Sequence, residues 1–144
     1  MGIELLWYSV CYLPSLESRK RRLGVLPAVF SHLSEPLCDE MVATRDLQER
    51  KQYMIEHGDL FVVLPGGIGT LDEWISTLCI MCIGNDDHRS IIVADLDGMF
   101  DSMVAQLNVL YHSPSPFGRG KDLNRSIVAR TPDQLISTLQ SLDK

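Results

Sequence analysis

The stretch that most constrains this chain is 59–73, DLFVVLPGGIGTLDE, an apolar run that stops at Pro65-Gly66-Gly67 and resumes in a helical rhythm. Residues 59–64 are apolar at almost every position, the pattern of a strand buried on both faces. Over 70–83, Leu71, Trp74, Ile75, Leu78, Cys79 and Cys82 recur at three- and four-residue steps, the pattern of a helix with an apolar stripe. A strand buried on both faces needs helices packed against its sheet. The same alternation runs through the rest of the chain. Strands are expected at 23–30, ending near Pro27, and at 39–44, 90–96 and 126–130. Helices are expected at 46–57, opened by a capping box of Asp46 and Glu49, at 99–111, and from Pro132 to about Leu142. Repeated strand–helix units predict an α/β fold around a parallel sheet.

With 144 residues, 45% apolar and 22% charged, the chain suits one domain, and a domain of that size buries roughly 70% of its unfolded surface. Thirteen basic against nineteen acidic residues leave a formal charge of −6. That balance argues against nucleic acid as a partner, since phosphate neutralisation needs a basic face. No apolar run approaches the ~20 residues of a membrane span. The apolar N-terminal stretch has no basic leader and carries Glu4, which makes a poor signal peptide. Cys11, Cys38, Cys79 and Cys82 are too scattered for a disulfide framework, so a soluble protein of the reducing cytoplasm is expected. Residues 1–22 fit the strand–helix scheme badly and are set apart as a divergent N-terminal segment, with 23–144 as the single α/β domain. Within that segment, the basic cluster 17–22 reads as a solvated connector or, more sharply, as a nuclear or nucleic-acid tag. The Pro- and Gly-rich stretch 112–125 reads as a loop.

The chemistry concentrates around Gly66, Gly67, Ile68, Gly69 and Thr70. Three glycines permit a tight turn and let a ligand approach the main chain without interference from Cβ. The N–H groups at the start of the following helix, with its dipole and the Thr70 hydroxyl, favour an anion there. The spacing matches neither a Walker loop nor a dinucleotide fingerprint. A purely steric use of the glycines stays open beside the phosphate cradle. Glu73 lies about 200° round the helix from Leu71, off the Leu71–Ile75–Leu78 stripe. It is either a surface acid stabilising the helix dipole or a carboxylate working beside a bound phosphate. On the preceding helix, Leu47, Arg50, Lys51 and Met54 share one face, so the two cations either snorkel to solvent or meet an anion. Cys79 and Cys82 read as core cysteines, and His32, His57, His88 and His112 form no cluster that suggests a metal site.

Together, Glu49-Arg50-Lys51, a strand, and Pro65-Gly66-Gly67-x-Gly69-Thr70-x-x-Glu73 resemble the lonely-guy (LOG) family of cytokinin-activating phosphoribohydrolases, often mislabelled lysine decarboxylases. The resemblance runs from about Leu23 to the C-terminus. It implies a Rossmann-like homodimer, with no metal or other cofactor, that splits the N-glycosidic bond of a nucleoside 5′-monophosphate into free base and ribose 5-phosphate. The substrate would be a cytokinin riboside monophosphate or AMP. Carried over by residue, Arg50 and Glu73 form the catalytic pair. Lys51, the loop Gly66, Gly67, Ile68, Gly69 and Thr70, Leu71, and Asp72, where the family usually has Glu, would hold phosphate and ribose. Members of the family begin with a strand–helix–strand unit carrying a Gly-rich turn. Residues 1–22 show no counterpart, so the chain is expected to be an N-terminally truncated or divergent member with one flank of its first strand left open. The alternative reading is a catalytically silent nucleotide-binding relative, or a scaffold that dimerises through the helix face from Trp74 to Cys82.

Overall fold

The computed structural model describes residues 3–5, 10–12, 22–33, 38–84, 88–112 and 126–142. The basic cluster 17–22, Arg22 apart, and the loop 112–125, His112 apart, lie outside them. Strands β1 (Ile3–Leu5), β2 (Val10–Tyr12), β3 (Arg22–Pro27), β4 (Glu40–Thr44), β5 (Leu60–Val63), β6 (Ser90–Ala94) and β7 (Ser126–Ala129) form one sheet. Its spatial order is β4-β3-β2-β1-β5-β6-β7. β2 pairs antiparallel with both neighbours, and every other pairing is parallel. The helices are α1 (Leu47–His57), α2 (Ile68–Ile83), α3 (Asp101–His112) and α4 (Pro132–Leu142). This is an α/β, Rossmann-like arrangement of a mainly parallel sheet flanked by helices.

Strand β3 ends at Pro27, and a 3₁₀ turn over Ala28–Leu33 follows. The expected open flank of this strand is absent, because β3 pairs with β2 on one side and β4 on the other. Segments 3–5 and 10–12 thus belong to the same sheet as the strands that follow. Three-residue strands carry too little periodicity to stand out in a sequence.

Alternate residues of the central strands supply two cores. On one face Phe61, Val63, Ile91 and Val93 pack with Val25, Met54, Trp74, Leu78, Met81 and Phe100, and with partly buried residues of α3. On the other, Leu60, Ile92 and Ala129 meet Leu135, Leu139 and Leu142 of α4. That two-sided burial is why 59–64 reads as continuously apolar. Helices α1, α2 and α3 therefore share one face of the sheet, with α2 between them in the chain.

The start of α1 shows how local chemistry fixes an element. Asp46 takes the N-cap position and its Oδ1 accepts the Glu49 N–H at 2.8 Å. The Glu49 carboxylate turns instead to the Arg45 N–H and, at 3.1 Å, the Arg45 Nε, so the capping box closes one residue early. Asp46→Ala is expected to cost about 1 kcal/mol. The check is a lower urea midpoint at an unchanged denaturant slope.

Candidate active site

The carboxyl edge of β5 leads through Leu64, Pro65 and Gly66 to Gly67, the N-cap of α2. Gly67 is in extended conformation, and its carbonyl accepts the Thr70 N–H at 3.1 Å and the Leu71 N–H at 3.3 Å. Helix geometry leaves the first N–H groups of the turn without intrahelical partners, on the positive end of the dipole. None of Gly66, Gly67 and Gly69 has positive φ, which among the described glycines belongs to Gly98 alone. The glycines are thus not needed here for a left-handed turn. A Cβ placed on Gly67 or Gly69 would meet nothing within 4 Å, so what they leave is open approach to the main chain.

The buried face of α2 is Thr70, Glu73, Trp74, Thr77, Leu78 and Met81. It keeps Trp74 and Leu78 of the expected stripe but turns away from Leu71, Ile75, Cys79 and Cys82. Leu71, Ile75 and Cys82 are half-buried, with Leu71 and Cys82 packed against the core, and Cys79 is exposed, so the reading as core cysteines fails for Cys79 while Cys82 lies at the core's margin. The physical reason is that α2 is apolar nearly all round, and its place against the sheet, not its own pattern, chooses the inner face. Glu73, expected off the stripe, faces inward. Trp74 is wholly buried, so it offers no surface for the scaffold reading. Leu71, Ile75 and Cys79 line an open groove of about 870 Å³ shared with Lys51 and Ile55 of α1.

Two successive cations of α1 meet two successive acids of α2. Arg50 Nη1 lies 2.6 Å from Glu73 Oε1, with side chains only 11% and 9% exposed. Arg50 Nε also donates to the Val25 carbonyl of β3 at 3.2 Å. Lys51 Nζ lies 2.7 Å from Asp72 Oδ2 and 3.2 Å from Ser76 Oγ. Of the alternatives open for these cations, the structure takes the anion, supplied by the protein itself. Leu47, expected to pack inward beside them, is exposed instead.

Burial pushes the Glu73 carboxyl above the ordinary glutamate range, against the pull of the Arg50 guanidinium, and the Asp72 charge adds to the rise. Around it, Gly66 is half-buried, Gly67, Ile68 and Gly69 are exposed, Leu71 is half-buried and Asp72 is exposed on the groove. Thr70, offered by the sequence as a hydroxyl donor, is 4% exposed and sits on the inner face. Open glycine backbone, a helix start and a buried carboxylate one turn further on therefore stand together. Among the described residues, no group of three or more His, Cys, Asp or Glu gathers where it could hold a metal.

A second charged cluster at the same sheet edge went unread. Asp95, directly after β6, accepts the Phe100 N–H at 2.9 Å and pairs with Arg130 Nη1 at 2.6 Å; Arg130 also pairs with Asp101. The available signal was an acid closing an apolar run, at the strand end where open α/β sheets bind ligands.

A family described as "Possible lysine decarboxylase" matches residues 12–139. The chain belongs to this family. It is the lonely-guy family that the two motifs resemble, as the names of similar proteins bear out. A cytokinin riboside 5′-monophosphate phosphoribohydrolase of Mycobacterium tuberculosis is 39% identical over 103 residues, 67% of this chain and 54% of that protein. One from Mycobacterium marinum is 40% identical over 90 residues, 61% of this chain and 48% of that protein. A plant protein of the same activity name, from Arabidopsis thaliana, is 30% identical over 84 residues, 57% of this chain and 36% of its own length. The chain spans about half the length of the two mycobacterial relatives. Among the described residues no helix is long and apolar enough to cross a membrane.

Proposed function

We propose that this lonely-guy family member hydrolyses the N-glycosidic bond of a nucleoside 5′-monophosphate, a cytokinin riboside monophosphate or AMP, to free base and ribose 5-phosphate. The observation that carries the reading is the buried Arg50–Glu73 pair one turn inside an uncovered glycine helix start. The phosphate would sit on the first N–H groups of α2, where Gly67 and Gly69 leave room. Breaking the C1′–N bond builds oxocarbenium character at C1′. The Glu73 carboxylate stabilises that charge and orients the water whose oxygen adds to C1′. The departing base takes up, in net terms, the proton that this water gives up. Arg50 fixes the carboxylate, and Lys51 and Asp72 hold the adjoining surface of α1 and α2 together.

The chain is further proposed to act as a homodimer in the cytoplasm. The groove between α1 and α2, continued by Ile68 (84% exposed) and Ile83 (77% exposed), is the apolar face that supports a second copy. Cys38, Cys79 and Cys82 are thiols, in keeping with a reducing compartment.

The deciding experiment is release of free base from AMP and from isopentenyladenosine monophosphate, followed chromatographically. Turnover by the folded protein is expected. Nucleotide-induced stabilisation without turnover would turn the reading to a silent binding module. Gly69→Ala separates ligand approach from a steric role of the loop. In open space within a helix it should leave stability unchanged or raise it by up to about 1 kcal/mol. If the phosphate sits there, the same variant raises KM for AMP, and an unchanged KM would remove the phosphate from this loop.

A further inference from the structure

The cluster at the end of β6 is built more tightly than a surface ion pair. The Asp95 side chain is 0% exposed, and its backbone N–H donates to the Ala129 carbonyl of β7 at 3.0 Å. One carboxylate oxygen accepts the Phe100 N–H, and the other pairs with Arg130. Asp95 thereby closes the turn into α3, which bends at Gly98 with φ 78°. The ring of Phe100, fastened by that bond, is buried and meets Trp74 edge-on, with centroids 5.7 Å apart and planes at 72°. The Trp74 indole is held from its far end as well, donating from Nε1 to Ser126 Oγ at 3.2 Å. Trp74 is the immediate neighbour of Glu73 on the buried face of α2.

We propose that Asp95 is a positioning residue for Glu73: through Phe100 and Trp74 it sets the rotation of α2 that keeps the Glu73 carboxylate buried against Arg50. The inference rests on the catalytic role proposed for Glu73, and it adds a residue that touches neither substrate nor Glu73. Phe100 and Trp74 are both wholly enclosed in the core, so the indole cannot turn without a matching shift of the Phe100 ring. Freed of its bond to Asp95, the turn lets that ring retreat. The first turns of α2 then gain room to rotate, and water gains access to Glu73.

Spatial continuity alone does not establish coupling, so the test reads Glu73 directly. In the full chain with Asp95→Ala, kcat for base release from AMP is expected to fall about tenfold with KM within about twofold of the parent. The Glu73 carboxyl, titrated by carbon NMR, should move down toward the ordinary glutamate range as it hydrates. Asp95→Asn, whose amide oxygen can still accept the Phe100 N–H, should restore most of kcat. Should Asp95→Ala not fold, Phe100→Leu, which removes the ring edge from Trp74, is expected to give the same fall in kcat and the same titration shift. A folded Asp95→Ala or Phe100→Leu with the parent's kcat and an unmoved Glu73 midpoint overturns the proposal. If the parent releases no base, the reading of Glu73 as catalytic fails, while the NMR midpoint still decides whether Asp95 positions it.

Discussion

Replacing Glu73 by glutamine is expected to lower base release from a nucleoside monophosphate by about 10²–10⁴-fold. Glutamine keeps the shape of the side chain, and its amide oxygen still accepts from the Arg50 guanidinium. It lacks the negative charge that faces the developing oxocarbenium ion. The change in stability should be smaller than the change in rate. Glutamine avoids the desolvation that burdens the carboxylate, and this offsets part of the lost pairing with Arg50. The pH profile gives the second signature. The parent's rate should rise as Glu73 deprotonates, with an acid limb above the ordinary glutamate value of 4.5, because burial outweighs the pull of Arg50. That limb should be missing from the residual activity of Glu73→Gln. A folded variant retaining most of the parent's rate would take Glu73 out of the chemistry.

Arg50→Met is expected to be the most destabilising of these substitutions, by about 3–5 kcal/mol at neutral pH, because it leaves a buried carboxylate without its cation. The sign of the pH dependence follows from the direction of the Glu73 shift. Its folded pKa lies above the unfolded one, so its contribution to stability is fully present below the unfolded pKa and is lost as pH rises through the folded one. Without Arg50 the folded pKa climbs further, and more stability is lost over the same rise. The deficit of Arg50→Met should therefore shrink on acidification and be smallest where Glu73 is protonated in both proteins. Urea unfolding at neutral pH and near pH ~4 compares the two directly. A deficit constant across that range would mean that Arg50 acts through packing and its bond to the Val25 carbonyl.

Much of this protein is legible in local pattern. The two-sided burial of 59–64, the glycine turn after it and the cap at Asp46 are short-range signals. Each has a single cheap structural solution, and the structure adopts all three. Spacing also singles out Arg50 and Lys51, because charges on an otherwise inward-facing helix face must find partners, whereas Glu73 stands out only by its place just beyond the glycine loop. Spacing alone does not give the partners, since those contacts cross between α1 and α2; the Arg50–Glu73 pair is legible only through the family resemblance, and the Lys51–Asp72 pair comes from the structure. Nor could spacing choose the inner face of α2. Where apolar residues surround a helix, burial is decided by what packs against it, and here that choice carried Thr70, Glu73 and Thr77 inward and left Cys79 outside.

Asp95 is the clearest case of the same limit. With Leu96 it falls inside the strand expected at 90–96, although β6 stops at Ala94, and its partners Phe100 and Arg130 meet it only once β6 and β7 lie side by side. The sequence by itself determined the strand–turn–helix grammar, the family and the residues with chemistry to offer. The tertiary structure alone decided which of them are buried and with whom they pair, because burial and ion pairing depend on distances that chain neighbours do not set.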